Sequence, residues 1–391
     1  MKTLPAVEWT QRAELAKLVE ALRAENVRWV GGAVRDTLLE HPVHDIDAST
    51  PLHPKQVIDR LDAVGIRTIP TGIDHGTVTA ILDSGNVEIT TLRNDVATDG
   101  RRATIEYATE WEDDAKRRDF TINALYAHPE TLEIYDWFGG VDDLAAQRVR
   151  FIGDARERIR EDHLRILRYF RFQARFGSEP DSEAEDACSD LAETLKGLSR
   201  ERVGWELQNL LVLPDPSATV ARMRELKVLQ VVLPETGARQ VDKLRELVAI
   251  EAAEGVEPHA MRRLAALLPA VPPVAEAVAA RLRLSKSQRA RLSCAAARDT
   301  RDTDHPRALA YEEGMDCAVD RLLLCGCGIE ALQDWEMPQF PLKGGEVVQR
   351  GVAAGPQVAR VLQAVEKRWV EEEFPDRERV EALLAEELAA L

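Results

Sequence analysis

Strand-forming patterns in this chain stop near Gly139-Gly140, and almost every run after them reads as helix. That asymmetry constrains the fold more than any single motif. A chain that spends its strands early has to build one mixed-sheet domain and then pack helices on helices, an α+β arrangement. Before the break, "WTQRAELAKLVEALRAEN" (9–26) has apolar positions at helical spacing, and "VRWV" (27–30) is a short strand entering Gly31-Gly32. "AVRDTLLE" (33–40) is helical and is broken by Pro42, and "VHDIDAST" (43–50) returns to strand character before Pro51. Two β-branched runs, "GTVTAIL" (76–82) and "NVEITTLR" (86–93), are joined by "DSGN" as a hairpin. "ATIEYAT" (103–109) and "LEIYDW" (132–137) add further strands. From "DARERIREDHLRILRYFRFQARF" (154–176) onward the runs have helical period and good helix formers, with prolines as punctuation. At 391 residues the chain is too long for one compact core, so several domains are expected, with "DWFGGVDDL" (136–144) as a hinge.

Asp45 and Asp47 stand two apart, so on a strand both face the same way while Ile46 turns into the core. Like charges held close repel unless a cation sits between them. That points to Mg²⁺, which favours carboxylate and phosphate oxygens. An exposed strand can carry such a pair without function. Here a strand, the Gly31-Gly32 turn and a helix start come just before it. Backbone N–H groups at such a turn suit phosphate, and Arg35 adds a fixed cation. Glu88, between inward-facing Val87 and Ile89, is an available third carboxylate. Three carboxylates on neighbouring strands suit two-metal phosphoryl transfer. On local sequence alone Glu88 reads equally well as a surface residue.

The net charge of −17 by itself argues against a nucleic-acid partner. The distribution argues the other way: residues 147–176 hold nine arginines against four acids, a local excess of five positive charges. Asp162, Arg165, Arg168 and Arg171 follow at steps of three, which predicts one stripe on a helix. One acid facing three arginines leaves positive charge for a triphosphate or an RNA backbone, although a solvated face of ion pairs has the same spacing. Asp162 and Arg165 side by side offer an acceptor and several donors, enough to read the Watson–Crick edge of a base. Five cysteines (Cys188, Cys294, Cys317, Cys325 and Cys327) fit no common zinc spacing and are expected as buried free thiols in a reducing cytoplasm. No apolar leader follows Met1 and no stretch reaches membrane-spanning length, so a cytoplasmic, soluble protein is expected.

In order, "GGAVRDTLLEHPVHDIDAST", "VEITTLRNDVATDGRRA", "KRRDFTINAL", "DWFGGVDDL", "EDHLRILRYFRF" and "ERVGWE" resemble the class II tRNA nucleotidyltransferases, the CCA-adding enzymes, and their bacterial poly(A) polymerase relatives. The similarity is dense from Val27 to Leu210 and thin beyond. It implies a polymerase-β-like nucleotidyltransferase head over 1–148, a helical neck over 149–215, and a helical body and tail over 216–391 that bind tRNA. It implies Asp45 and Asp47 as Mg²⁺ ligands, and Gly31, Gly32, Arg35, Arg118, Asp119 and Asn123 around the nucleotide. Asp119 also reads simply as the cap of a helix start. The resemblance further implies Asp162 and Arg165 as the pair that selects CTP and then ATP, with Arg168 and Arg171 as further contacts and Glu201, Arg202 and Glu206 as braces.

Within that family, "RNDVATDGRRATIEY" (93–107) matches the loop of members that finish with adenosine, and "IRTIPTGIDHGTVTAIL" (66–82) lacks the basic, aromatic-rich poly(A) polymerase signature. Only His259 and His305 lie in the second half, too few for an HD-type phosphohydrolase. "PLKGGEVVQRGVAAGPQVARVLQ" (341–363) reads as two short helices around a Gly-Pro turn. The activity implied is addition of CCA to tRNA from CTP and ATP. A poly(A) polymerase or a CC- or A-adding enzyme is the near alternative, and a non-catalytic RNA-binding scaffold the distant one.

Overall fold

A computed structural model describes residues 2–98, 103–177 and 179–390. Contacts divide the chain into two compact units. One is Met1–Leu210 with Ala218–Val232, and the other is Leu211–Ser217 with Leu233–Leu391.

The first unit is built on a seven-stranded sheet. Its strands are β1 (Arg28–Val30), β2 (Ile46–Thr50), β3 (Thr68–Gly72), β4 (Thr77–Leu82) and β5 (Gly85–Thr91). After β6 (Arg93–Thr98) and β7 (Ala103–Tyr107), which pair only with each other, it adds β8 (Tyr126–Ala127) and β9 (Ile134–Tyr135). The order across the sheet is β3-β4-β5-β2-β1-β8-β9. β2 lies antiparallel to β1 and parallel to β5, with Asp47 directly opposite Glu88. Ile46, Ala48, Ser49 and Thr50 are all buried, as expected of a central strand covered on both faces. β3 is not evident in the sequence because Pro70 interrupts it. It is one of the two edge strands, where a missing N–H need cost no ladder bond, and its pairing shifts register between Ile69 and Gly72.

Helices α1 (Ala13–Leu22), α2 (Gly32–Leu38), α3 (Pro54–Ala63), α4 (Trp111–Lys116) and α5 (Gly140–Ala145) belong to the sheet region. The helices α6 (Ala155–Glu161), α7 (Arg165–Phe176), α8 (Ser182–Asp190), α9 (Arg200–Leu211), α10 (Ser217–Glu225) and α11 (Val228–Val232) follow. The Asp154 carboxylate caps α6 by accepting from Glu157 N at 2.8 Å. α7 buries Ile166, Leu167, Tyr169, Phe170, Phe172 and Phe176. Phe120 sits among Phe151, Phe172 and Tyr169 at ring distances of 4.8, 5.3 and 6.4 Å, which fixes α7 against the sheet unit's last loop. The "DWFGG" stretch is a tight corner. Gly139 takes a left-handed conformation (φ 76°), Asp136 accepts from Gly140 N and Val141 N, and a Cβ on Gly140 would lie 2.2 Å from the Thr121 carbonyl oxygen.

The second unit is helical: α12 (Ala238–Ala253), α13 (Ala260–Ala266), α14 (Pro272–Arg281), α15 (Lys286–Ala296), α16 (Pro306–Glu313), α17 (Met315–Cys325), α18 (Gly344–Gln349), α19 (Pro356–Glu371) and α20 (Arg377–Ala389). α19 runs for 16 residues, longer than the short helix expected there. A buried ionic cluster ties α12, α13 and α17. Arg262 and Arg263 share the Glu251 carboxylate at 2.6 and 2.7 Å, and Arg262 also reaches Asp320 at 3.2 Å. Arg263 donates as well to the carbonyls of Leu211, Leu213 and Pro214. Each buried charge thus has partners, without which it would be strongly destabilising. Cys294 and Cys317 are joined as a disulfide, which corrects the expectation of free thiols at those two positions. Neighbouring helices bring together residues 23 apart, a proximity no spacing rule reveals. Cys188 is buried and Cys325 and Cys327 are half-buried, all three as free thiols. Among the described residues, no helix is long and apolar enough to cross a membrane.

Candidate active site

Asp45 is the last residue before β2 and is exposed, Asp47 is half-buried on β2, and Glu88 is exposed on β5. The parallel register places Asp47 and Glu88 side by side. Burial, together with Glu88 and Asp45, lifts the Asp47 carboxyl to about 6 even though Arg118 pulls it down. Among the described residues none of these three carboxylates has an ion pair or hydrogen bond, in a chain rich in both. This donor set, all carboxylate oxygens with no direct ion pair and only Arg118 offsetting their charge at a distance, fits a hard divalent cation.

Arg118 is the cation facing them. Its guanidinium donates to Tyr126 Oη at 2.9 Å and lies 3.4 Å from Ser49 Oγ and from Asp114 Oδ2. It also borders the glycine turn: a Cβ on Gly31 would lie 3.5 Å from Arg118 Nη1. Gly31 itself has φ +68°, a conformation that favours glycine. Asp114 is fully buried and also pairs with Arg117 at 2.8 Å. Burial would raise its carboxyl, but Arg117, Arg118 and the Tyr126 hydroxyl outweigh that and hold it down at about 2. The sequence reading overlooked Asp114. The signal was present in "DDAKRR", where it stands three and four residues before two arginines on one helix turn.

Asp119 and Asn123 lie on a short 3-10 turn (Thr121–Asn123) and its approach, where a helix start was expected. Asn123 Nδ2 donates to Asp119 Oδ1 at 3.0 Å. Arg168 meets Asp119 Oδ2 through Nε at 2.7 Å and Nη2 at 2.6 Å. Burial pushes Asp119 up, yet Arg168, Asn123 and Arg165 bring it to about 2. Arg35 is buried. It donates to Asp36 Oδ1 at 2.8 Å and Asn123 Oδ1 at 2.5 Å, and stacks over Phe176 at 4.6 Å. Gly32 borders the Arg35 guanidinium.

The arginine stripe differs from expectation in two ways. Asp162 is not on the helix with the arginines. α6 ends at Glu161, and the Asp162 carboxylate turns back to accept from Leu164 N at 3.1 Å before α7 begins at Arg165. An aspartate bonding to the backbone two residues on offers an alternative to helix, and no proline or glycine marks it. Nor are the arginines uncompensated. Arg165 pairs with Glu161 at 2.7 Å and donates to the Arg158 and Arg117 carbonyls at 2.9 Å each. Arg171 pairs with Glu206 at 2.7 Å, Arg168 reaches both Asp119 and Glu206, and Asp162 pairs with Arg202 at 2.6 Å. Glu161 is a local partner at the end of α6, whereas the others come from α9 and from the segment before β8, 35 to 49 residues away. Glu206 and Arg202 thus contact the α6–α7 segment, whereas the Glu201 carboxylate accepts from Ser199 Oγ at 3.4 Å.

The stretch 93–107, expected from the resemblance to serve adenosine addition, forms β6 and β7, and residues 99–102 within it lie outside the described residues. Arg93 N approaches Asp114 Oδ1 at 3.4 Å, so the same buried carboxylate holds both Arg118 and the root of this hairpin.

Residues 27–150 match the family model described as the poly A polymerase head domain, and residues 179–239 match one described as "Probable RNA and SrmB- binding site of polymerase A". The chain is 34% identical over 379 residues to the Homo sapiens protein named CCA tRNA nucleotidyltransferase 1, mitochondrial, covering 91% of this chain and 86% of that one. It is 40% identical over 225 residues to a Streptococcus pneumoniae protein named CCA-adding enzyme, covering 57% of this chain and 55% of that one. The crystal structure of the Bacillus stearothermophilus CCA-adding enzyme in complex with CTP superposes with a TM-score of 0.77 at 24% identity, covering 98% of this chain and 99% of that one. The Thermotoga maritima CCA-adding enzyme complexed with tRNA superposes with a TM-score of 0.73 at 20% identity, covering all of both chains (100% and 100%).

Proposed function

We propose, from the premise that the chain belongs to the CCA tRNA nucleotidyltransferase family, that it adds C, C and A without a template to the 3′ end of tRNA, consuming CTP and ATP and releasing pyrophosphate. The observation that carries this reading is the group Asp45, Asp47 and Glu88, unpaired and mutually repelling beside Arg118 and the Gly31 turn. Asp45 and Asp47 would hold Mg²⁺, with Glu88 as a further ligand or a base. When bound, the ion lowers the pKa of the attacking hydroxyl and offsets charge developing on the transferred phosphate.

The chain's own residues do the rest. Arg118, fixed by Tyr126 and Asp114, faces the triphosphate. Gly31 and Gly32 keep side chains out of its way. Arg35, Asn123, Asp119 and Arg168 form one hydrogen-bonded series that holds the nucleotide-facing turn against α7. Asp162 and Arg165 present acceptor and donors to the base. To do so Arg165 leaves Glu161 and two carbonyls, and Asp162 leaves Arg202. Arg171 acts through Glu206. Helices of the neck, body and tail supply tRNA affinity that weakens with salt. We place the activity in the cytoplasm.

The test is to incubate tRNA lacking CCA with CTP, ATP or both, and to sequence the 3′ ends. CTP alone should give CC, and both together should give CCA and stop. Long adenosine tails would assign a poly(A) polymerase, and an A without prior CC an A-adding enzyme. Undiminished function of the double variant Asp45→Ala, Asp47→Ala would leave only the scaffold reading.

A further inference from the structure

The helical second unit carries a feature that nucleotide addition does not use. Cys294 on α15 and Cys317 on α17 are linked, with Cα atoms 6.0 Å apart, a separation suited to a disulfide. Both line a cavity of about 850 Å³ together with His259, Arg291, Glu313 and Asp316. The two sulfurs differ in access. Cys294 is half-exposed on the cavity wall, whereas Cys317 is 7% exposed. Glu313 Oε2 lies 3.7 Å from Cys294 Sγ and can accept its hydrogen bond in the reduced form. Two of the remaining cysteines are poor competitors: burial pushes the Cys188 thiol well up and the Cys325 thiol up, which lowers their thiolate fraction.

We propose that Cys294 is a thiol–disulfide exchange site for small disulfides that enter this cavity, and that Cys317 is its resolving thiol. The Cys294 thiolate attacks one sulfur of RSSR. That S–S bond breaks, one RS⁻ leaves and takes up a proton, and Cys294 carries SR. The Cys317 thiolate then attacks the Cys294 sulfur and expels the second RS⁻. Two protein thiols and one RSSR become one protein disulfide and two RSH, and the reverse reaction with two RSH reopens it. The bond closes a loop of separation 23 that contains α16, and it staples α15 to α17, the helix whose Asp320 receives Arg262 and Arg291. Oxidation should therefore raise the melting temperature by on the order of 5–10 °C.

The full chain, fully reduced, is treated with glutathione disulfide and mapped by mass spectrometry. Wild type should lose two thiols to a Cys294–Cys317 link with no lasting adduct. Cys317→Ser should trap one glutathionyl group at Cys294, and Cys294→Ser should leave Cys317 unmodified. If a variant fails to fold, wild type acid-quenched early in the reaction should carry its transient glutathionyl group on Cys294, and a transient group on Cys317 instead would overturn the assignment. An adduct at Cys327 or Cys325 with Cys294 untouched, or five thiols remaining after treatment, would overturn the proposal. So would an unchanged melting temperature on reduction.

Discussion

Two charged regions of the first unit differ in one respect. On β2, its approach and the neighbouring β5, Asp45, Asp47 and Glu88 have no ion pair among the described residues, and burial, with Glu88 and Asp45, raises the Asp47 carboxyl to about 6 against the pull of Arg118. Along α7, three arginines that look surplus in the sequence are each matched by a carboxylate from another element. Unrelieved charge marks a place that waits for a ligand's charge. Relieved charge marks a scaffold, and any part of it that binds substrate must first let go of a partner.

The sharpest way to break this contrast is at the carboxylates. Asp47→Asn should cut nucleotide incorporation by roughly a thousandfold, the several kcal/mol that a lost metal ligand represents. The same variant should be more stable in metal-free buffer above pH 7, by on the order of 2 kcal/mol, because it removes a crowded charge. A lower melting temperature would show that the carboxylate supports the fold. Next in size, Asp114→Ala should destabilise by about 3–5 kcal/mol in urea titrations, since it strands Arg117 and Arg118 against a buried hydroxyl. If the loss is under about 1 kcal/mol, the pairing does not matter to the fold.

Acid should expose the scaffold more gently. Asp114 and Asp119 are held at about 2, below their unfolded values near 4. Their contribution is complete above pH 4 and disappears as pH falls toward 2, about 2 kcal/mol each. Stability measured across that window should drop in wild type and drop less in Asp119→Asn. The smallest effect belongs to Glu161→Gln, which frees half-latched Arg165. Stability should change by less than about 1 kcal/mol, while the ratio of C to A incorporation should shift. An unchanged ratio would remove Arg165 from base selection.

Much of the sheet was legible because its strands announce themselves locally. Alternation in "NVEITTL" put Glu88 opposite its apolar neighbours, and the register then brought it beside Asp47. What the sequence hid was whatever depends on partners far along the chain. Arg168 looks unpaired until Asp119 arrives from 49 residues away, and Cys294 looks free until α17 packs beside α15. Asp162 was misplaced for a local reason: helical period continues through "EDHLR", but its side chain captures Leu164 N and ends one helix before the next begins. Pro70 hid β3 because the rule against proline in strands does not apply to an outer strand.

Gly140 contributes no functional group, yet its bare Cα rests on the backbone of Thr121, one residue past Phe120 and two before Asn123. Alanine there would have to push that peptide by more than an ångström for ordinary contact, carrying Asn123 and then the Arg35 and Asp119 contacts with it. A single added methyl, remote from any reacting atom, is thus a route to a folded but misaligned enzyme.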